Sequence, residues 1–374
     1  MSQPILQFGT GRFLQAHVDL FVSQALDAGQ ALGGISVVQT TASPQSSTRL
    51  AALARGDGYV VQVHGMQDGR RIEETVPVHS VRDGWHADTD WPRVLEAVAT
   101  TVQVIVSNTA ESGYALDVSD DATALRAGAP APRSFPAKLL ALLYHRWRHL
   151  PAAPLSLYPC ELISRNGDTL RDIVCSLAEA WSAPAPLQRW LREHCVWVNS
   201  LVDRIVSEPL WPAGAVAEPY ALWAIERQPR MVLPCTHACI LVTDDLPSIE
   251  RLKLHLLNLG HTYLAERWIA DARAPDETVF EAMNDPVLRA ELEAVWCDEV
   301  LPIFDALGAG AQARAYLRTL RDRLSNPFLA HRLSDIATNH VLKKRRRIGA
   351  LLALADEHGV APSQRRLRAA LSTP

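Results

Sequence analysis

The chain has 374 residues, more than one ordinary domain needs, so two packed units that each bury a core are expected. Apolar residues make up 48% and charged residues 21%, with a formal net charge of −4, which lacks the basic excess that nucleic-acid binding needs; no apolar run reaches membrane-spanning length. Six cysteines, Cys160, Cys175, Cys195, Cys235, Cys239 and Cys297, are scattered with no secretory segment ahead of them, so reduced thiols in a cytoplasm are expected, with neither nucleic acid nor membrane as partner.

The first strand is predicted at "PILQF" (4–8), running into Gly9, Thr10 and Gly11, with a helix over 13–29 behind them. Glycines at a strand-to-helix turn suit a dinucleotide, because a side chain there would hold the backbone away from the pyrophosphate. The runs "GISVVQT", "YVVQVHG", "TVQVIVSN" and "PLSLYPC" alternate with helical stretches such as 136–149, the pattern of an α/β unit with a largely parallel sheet. The second strand ends in Gln39, Thr40 and Thr41, with Arg49 further on and no acidic residue to grip a ribose, so NAD and NADP both stay open. The Ala/Pro stretches 127–138 and 181–190 read as rigid loops. From about residue 200 the texture turns helical, with helices expected over 248–271, 286–306, 309–324 and 327–356. The fold class expected is therefore an α/β Rossmann-like N-terminal domain, 1–199, followed by a mostly α-helical C-terminal domain for substrate binding and catalysis, 200–374.

Within that helical half, "SIERLKLHLLNLGHTYLA" (248–265) carries Glu250, Lys253, Asn258 and His261. At the α-helical period all four fall within roughly 140° of arc. A lysine beside an amide and a histidine suits alcohol oxidation: the lysine takes the hydroxyl proton and amide N–H groups hold the oxyanion formed as hydride leaves. Spacing alone equally allows a solvated Glu250–Lys253 pair on a helix that ends near Asn258 and Gly260. "CTHAC" (235–239) lacks a second ligand pair, so no metal site is expected, and His255 among leucines reads as a packed helix residue.

An ordered series of segments, "QFGTGRFLQAHVD", "VSNTAESG", "SFPAKL", "PCELISRNGDTLRDIV", "SLVDRIV", "KLHLLNLGHT", "EAMND", "DEVLPIFD" and "NPFLAHRLSDIATN", resembles the polyol-specific long-chain dehydrogenases. That family includes mannitol dehydrogenases and the reductases of keto-hexuronates. "CELI" followed by "NG" is more similar to its tagaturonate-reductase branch than to its mannitol-dehydrogenase branch, which tends to show an Asp-Asn pair after the cysteine.

The resemblance implies an NAD(P)-dependent oxidoreductase, with NAD as cofactor and NADP not excluded, acting as a monomer or homodimer on a small-molecule sugar acid or polyol. Lys253 is then the general acid/base, Asn258 and Asn166 the oxyanion donors, and His261 the group that orients substrate. Phe8, Gly9, Gly11, Arg12 and Phe13 would form the cofactor turn, with Ser107, Asn108 and Thr109 facing the nicotinamide ribose. Glu250, Asp203, Lys343 and Arg347 would line the substrate, and a forked guanidinium suits a uronate carboxylate. Lys344 and Arg346 in the same basic run are expected on a solvated helix face. The branch continues through a longer helical tail than this chain has, and a shortened tail would open the substrate pocket or change the substrate. The alternatives are a polyol or polyol-phosphate dehydrogenase, or a catalytically silent nucleotide-binding protein.

Overall fold

The computed structural model describes residues 3–41, 43–109, 113–360 and 364–373. The chain divides into two compact units, one of residues 1–63, 74–217 and 221–246, the other of residues 64–73, 218–220 and 247–374.

The strands up to residue 197 are β1 (Ile5–Phe8), β2 (Ile35–Gln39), β3 (Tyr59–Gln67), β4 (Arg70–Val78), β5 (Val81–His86), β6 (Val104–Ser107), β7 (Leu155–Pro159) and β8 (Cys195–Trp197), all in the first unit except residues 64–73 of β3, β4 and their turn. Six of them form one sheet in the order β5-β2-β1-β6-β7-β8. Every pairing in it is parallel, with Ile5 facing both Ile35 and Val104. This is the doubly wound order, in which helices must cover both faces and strands become continuously apolar. Accordingly β1, β2, β6 and β7 are buried along their whole length. Helices α1 (Arg12–Gln15), α2 (Val18–Asp27), α3 (Pro44–Ala54), α4 (Ala87–Thr100), α5 (Phe135–His149), α6 (Asn166–Ala180) and α7 (Ala185–Glu193) belong to this unit. Trp91, Val94, Leu139, Leu143, Val174 and Trp190 join Leu6, Phe8 and Ile105 of the sheet in one core.

The helical texture expected from residue 200 is corrected. Residues 200–243 hold five strands, β9 (Ser200–Asp203), β10 (Val206–Pro209), β11 (Gly214–Ala217), β12 (Leu222–Glu226) and β13 (Ile240–Thr243). Each is only four or five residues long and prolines punctuate the segment, so neither a strand nor a helix period can develop in the sequence. They build two small sheets, β10-β11-β3-β4 and β13-β12-β9. The β3–β4 hairpin turns at Asp68 and Gly69, both at positive φ, the Asp-Gly signal of a tight hairpin. The helix expected over 13–29 is also two, because the chain breaks at Ala16 and His17.

The second unit is helical from Pro247: α8 (246–270), α9 (Val279–Asn284), α10 (286–306), α11 (Gly310–Leu324), α12 (Leu333–Ala337), α13 (340–357) and α14 (Arg365–Ser372). The helix expected over 327–356 is divided by Asn339, which takes the left-handed conformation at φ 56°. Leu256, Leu264, Trp296, Phe304, Leu317, Ile348 and Leu351 meet in its core. Three stretches widen to π-helix: Lys253–Asn258 in α8, Val295–Val300 in α10 and Arg345–Gly349 in α13. Among the described residues no helix is long and apolar enough to cross a membrane.

Candidate active site

The nucleotide-type turn lies at the carboxyl end of β1, in the middle of the parallel sheet. Gly9 has φ +113°, and a Cβ there would stand 2.7 Å from the Asn108 carbonyl oxygen, so the close approach of β1 to the end of β6 demands glycine. Gly11 is different. A Cβ added to it would meet nothing within 4 Å, so the protein itself leaves space in front of that backbone. An open approach of this kind is what a pyrophosphate needs, and the turn therefore fits a dinucleotide. Phe8 is buried under the turn, Arg12 is exposed at its rim, and the Phe13 ring stacks on His17 at 4.8 Å. Where α1 breaks, the Ala16 carbonyl accepts from the buried Arg204 Nη1 at 2.5 Å. Asp203, its neighbour on β9, is buried as well.

At the end of β2, Gln39 is 3% exposed and its amide is fully engaged. Its Oε1 accepts from the Thr10 hydroxyl, and its Nε2 donates to the Thr41 carbonyl at 2.8 Å and to Thr41 Oγ1 at 2.5 Å. Among the described residues no carboxylate bonds to Gln39.

Ser107, Asn108 and Thr109 are held at the end of β6 by a residue the sequence reading passed over. Glu161, 3% exposed, accepts from Ser107 Oγ (3.1 Å), from Thr109 N and Oγ1 (both 3.0 Å) and from Tyr114 Oη (3.3 Å). Burial raises its pKa, and the bonds from Thr109 and Ser107 oppose that shift. Asn108 Nδ2 donates to the Cys160 carbonyl at 2.8 Å. The signal was the acidic residue in "CELI", an acid inside an otherwise apolar run. The "AES" of "VSNTAESG", 110–112, lies outside the described residues.

Asn166 requires a correction. It is 1% exposed at the start of α6, and its Nδ2 donates to the carbonyls of Pro159 (2.9 Å), Glu161 (3.2 Å) and Ser200 (2.9 Å). Its Oδ1 accepts from Gly167 N and Ser200 N. Both amide hydrogens are consumed, so Asn166 ties β7 to β9 and its side chain has no N–H left for a substrate oxygen.

In the second unit, Lys253 and Asn258 are the first and last residues of the π turn of α8. An i→i+5 ladder places residue i+5 over residue i, so the turn stacks these two side chains on one face, whereas a regular α-helix would separate them by roughly 140°. The backbone adjustment is supported by side chains: Trp296 Nε1 donates to the Leu256 carbonyl at 3.2 Å, and Thr262 Oγ1 to the Asn258 carbonyl at 2.9 Å. Lys253 and Asn258 are half-buried, and the Asn258 amide has no hydrogen-bond partner among the described residues. His261, 7% exposed, sets its ring edge-on to His331 at 4.9 Å. Glu250 is half-buried one turn before Lys253.

The basic run lies on α13. Arg347 is half-buried, burial lowers its pKa, and its Nη1 donates to the Asn258 carbonyl (3.2 Å) and Thr262 Oγ1 (2.8 Å). It has no carboxylate partner among the described residues. Lys343 Nζ donates to the Ile336 carbonyl at 2.9 Å. Arg346 is exposed, as a solvated face requires, but Lys344 is not. Lys344 is 1% exposed, paired with Glu266 at 2.9 Å and donating to the Thr373 carbonyl at 2.7 Å, so that expectation is corrected. His255 packs as expected and also bonds, its Nδ1 3.0 Å from the Arg347 carbonyl. In "CTHAC", His237 has both ring nitrogens engaged, with Gln24 Oε1 at 2.8 Å and Cys239 N at 3.1 Å.

A doubly wound sheet with an open glycine turn, and a separate helical unit carrying a lysine, an amide and a histidine, define the class of two-part Rossmann dehydrogenases. Residues 3–233 match the mannitol dehydrogenase Rossmann domain and residues 245–370 the mannitol dehydrogenase C-terminal domain. The chain belongs to the mannitol dehydrogenase family and is an oxidoreductase of CH–OH groups. It is 32% identical to an altronate oxidoreductase of Halalkalibacterium halodurans, over 93% of this chain and 70% of the relative. It is 30% identical to an altronate oxidoreductase of Bacillus subtilis, over 97% and 77%. Among solved structures, a substrate-free D-sorbitol dehydrogenase superposes with a TM-score of 0.80 at 20% identity, covering 96% of this chain and 77% of that one. The mannitol 2-dehydrogenase of Pseudomonas fluorescens, in a ternary complex with NAD and D-mannitol, gives 0.74 at 21% identity, covering 99% and 78%. These two share the fold.

Proposed function

We propose that the chain is an NAD-dependent oxidoreductase interconverting a keto-hexuronate and the corresponding aldonate. The observation that carries this reading is Arg347, a half-buried guanidinium without a carboxylate partner among the described residues, bonded to the backbone of the residue that ends the lysine–asparagine π turn. A cation withdrawn from water is costly unless an anion joins it, and a sugar acid brings one. The altronate oxidoreductases to which the chain is similar support the same substrate class.

Gly9, Gly11, Arg12 and Phe13 would hold the dinucleotide over the end of β1, with Ser107, Asn108 and Thr109, braced by Glu161, beside its nicotinamide ribose. Bound there, the nicotinamide supplies or accepts the hydride. Lys253 gives the proton to the new hydroxyl in reduction and takes it in oxidation. The Asn258 amide donates to the same oxygen while it carries negative charge, and His261 orients the sugar's hydroxyl groups. Arg347 would bind the substrate's carboxylate, and Lys343, Glu250 and Asp203 stay candidates for its other contacts. The six unpaired cysteines suit a reducing cytoplasm, and the assembly proposed is a monomer or homodimer. The test is a panel of hexuronates, aldonates, polyols and polyol phosphates followed by NADH and NADPH absorbance. Turnover of a hexuronate at least tenfold better than any neutral polyol is expected, and preference for the polyol or its phosphate overturns the reading.

A further inference from the structure

Among the described residues, the hydrogen bonds of the Arg347 guanidinium all lie on one side. Its Nη1 donates to Thr262 Oγ1 at 2.8 Å and to the Asn258 carbonyl at 3.2 Å, which uses both hydrogens of that nitrogen. The Thr262 hydroxyl has a single hydrogen, and this goes to the Asn258 carbonyl at 2.9 Å, so toward Arg347 the hydroxyl acts as acceptor. Thr262 is fully buried and cannot turn elsewhere. The backbone beneath the guanidinium is held too, by His255 Nδ1 on the Arg347 carbonyl at 3.0 Å, an arrangement in which Nδ1 carries the proton and donates. What remains is the Nε–Nη2 edge, the side-on fork that matches two carboxylate oxygens.

We infer that Thr262 is a positioning residue that presets Arg347 with its Nε–Nη2 edge open, making the site selective for a substrate with a terminal carboxylate over an uncharged polyol. The inference rests on the keto-hexuronate reading above. An arginine side chain normally loses considerable rotamer freedom when it binds an anion, and holding Nη1 in advance removes much of that loss. The preference for acids then depends on a hydroxyl that never touches the substrate.

The test uses Thr262→Val, which keeps the shape and removes both the acceptor for Arg347 and the donor to the Asn258 carbonyl, Thr262→Ser, which keeps both, and Arg347→Ala. Calorimetric titration of D-altronate or D-mannitol into the enzyme saturated with NADH measures binding without turnover. Thr262→Val should weaken altronate binding roughly tenfold and leave mannitol binding within twofold, with Thr262→Ser close to wild type. In steady state, Thr262→Val should raise KM for the acid by a larger factor than it lowers kcat. Equal weakening of both ligands by Thr262→Val, or no weakening of altronate where Arg347→Ala weakens it, overturns the inference and leaves the hexuronate reading standing. Arg347→Ala weakening both ligands equally overturns that reading and this inference with it. If Thr262→Val does not fold, Thr262→Ala takes its place under the same criteria.

Discussion

Replacing Asp19 by asparagine should remove a stability cost that appears as pH rises toward neutrality. Asp19 lies on α2 with no solvent exposure, and its Oδ2 accepts from Tyr59 Oη at 2.8 Å. Among the described residues its Oδ1 has no hydrogen-bond partner and neither has Gln7 Oε1, both being buried, and the Gln7 side chain is within reach of the carboxyl. Gln7 in turn donates through Nε2 to the Gly9 carbonyl of the glycine turn at 3.2 Å. A proton on Asp19 removes the charge that burial penalises and gives the carboxyl a hydrogen to donate. Burial raises its pKa from 3.8 to about 7, with the bonds from Tyr59 and Gln7 opposing the shift. Because the folded-state pKa lies above the unfolded one, the stabilising contribution is fully present below pH 3.8 and is lost as pH rises through about 7. A difference of that size corresponds to roughly 4 kcal/mol across the whole window, and to roughly 1.4 kcal/mol for each pH unit inside it. The amide introduced by Asp19→Asn would not titrate, and it would still accept from Tyr59 and donate toward Gln7. Denaturant unfolding of wild type and Asp19→Asn, followed by tryptophan fluorescence between pH 5 and 8, should show the difference moving by roughly 3 kcal/mol in favour of the variant. A difference independent of pH would mean that Asp19 ionises normally, and the protonation argument would fail.

Lys253→Ala should lower kcat by at least roughly 100-fold while leaving NADH affinity by fluorescence titration within twofold. Asn258→Ala should cost roughly 100- to 1,000-fold in kcat with little change in KM; a raised KM alone would make it a binding residue. Asn166→Ala should instead act on stability, lowering the thermal midpoint by several degrees, because it strips partners from three buried carbonyls and two backbone N–H groups. Gly11→Ala should fold with an unchanged melting temperature, since its Cβ enters open space, yet bind NADH at least tenfold more weakly; unchanged affinity would show that the cofactor does not approach this turn.

The sequence by itself determined what depends on local order. The glycine turn after "PILQF" was legible because the backbone conformation of Gly9 and the open space at Gly11 both follow from a missing side chain. The parallel sheet was legible because strands covered on both faces must be apolar throughout. The Lys253, Asn258 and His261 spacing was visible too, but the π turn that stacks the first two was not. A π turn is stabilised by contacts from other helices, such as Trp296 on the Leu256 carbonyl, which no local spacing encodes.

Asn166 and Lys344 show the same limit. The first has the composition of an oxyanion donor and the second that of a solvated lysine, yet tertiary neighbours take up every hydrogen of the Asn166 amide and bury Lys344 against Glu266. Glu161, which braces Ser107 and Thr109 from 54 and 52 residues away, is a long-range partner of the same kind. Chain order specifies which donors and acceptors exist. Which of them remain available to a substrate is decided only when packing brings distant carbonyls and carboxylates to each one, because a buried polar group takes the partner that is there.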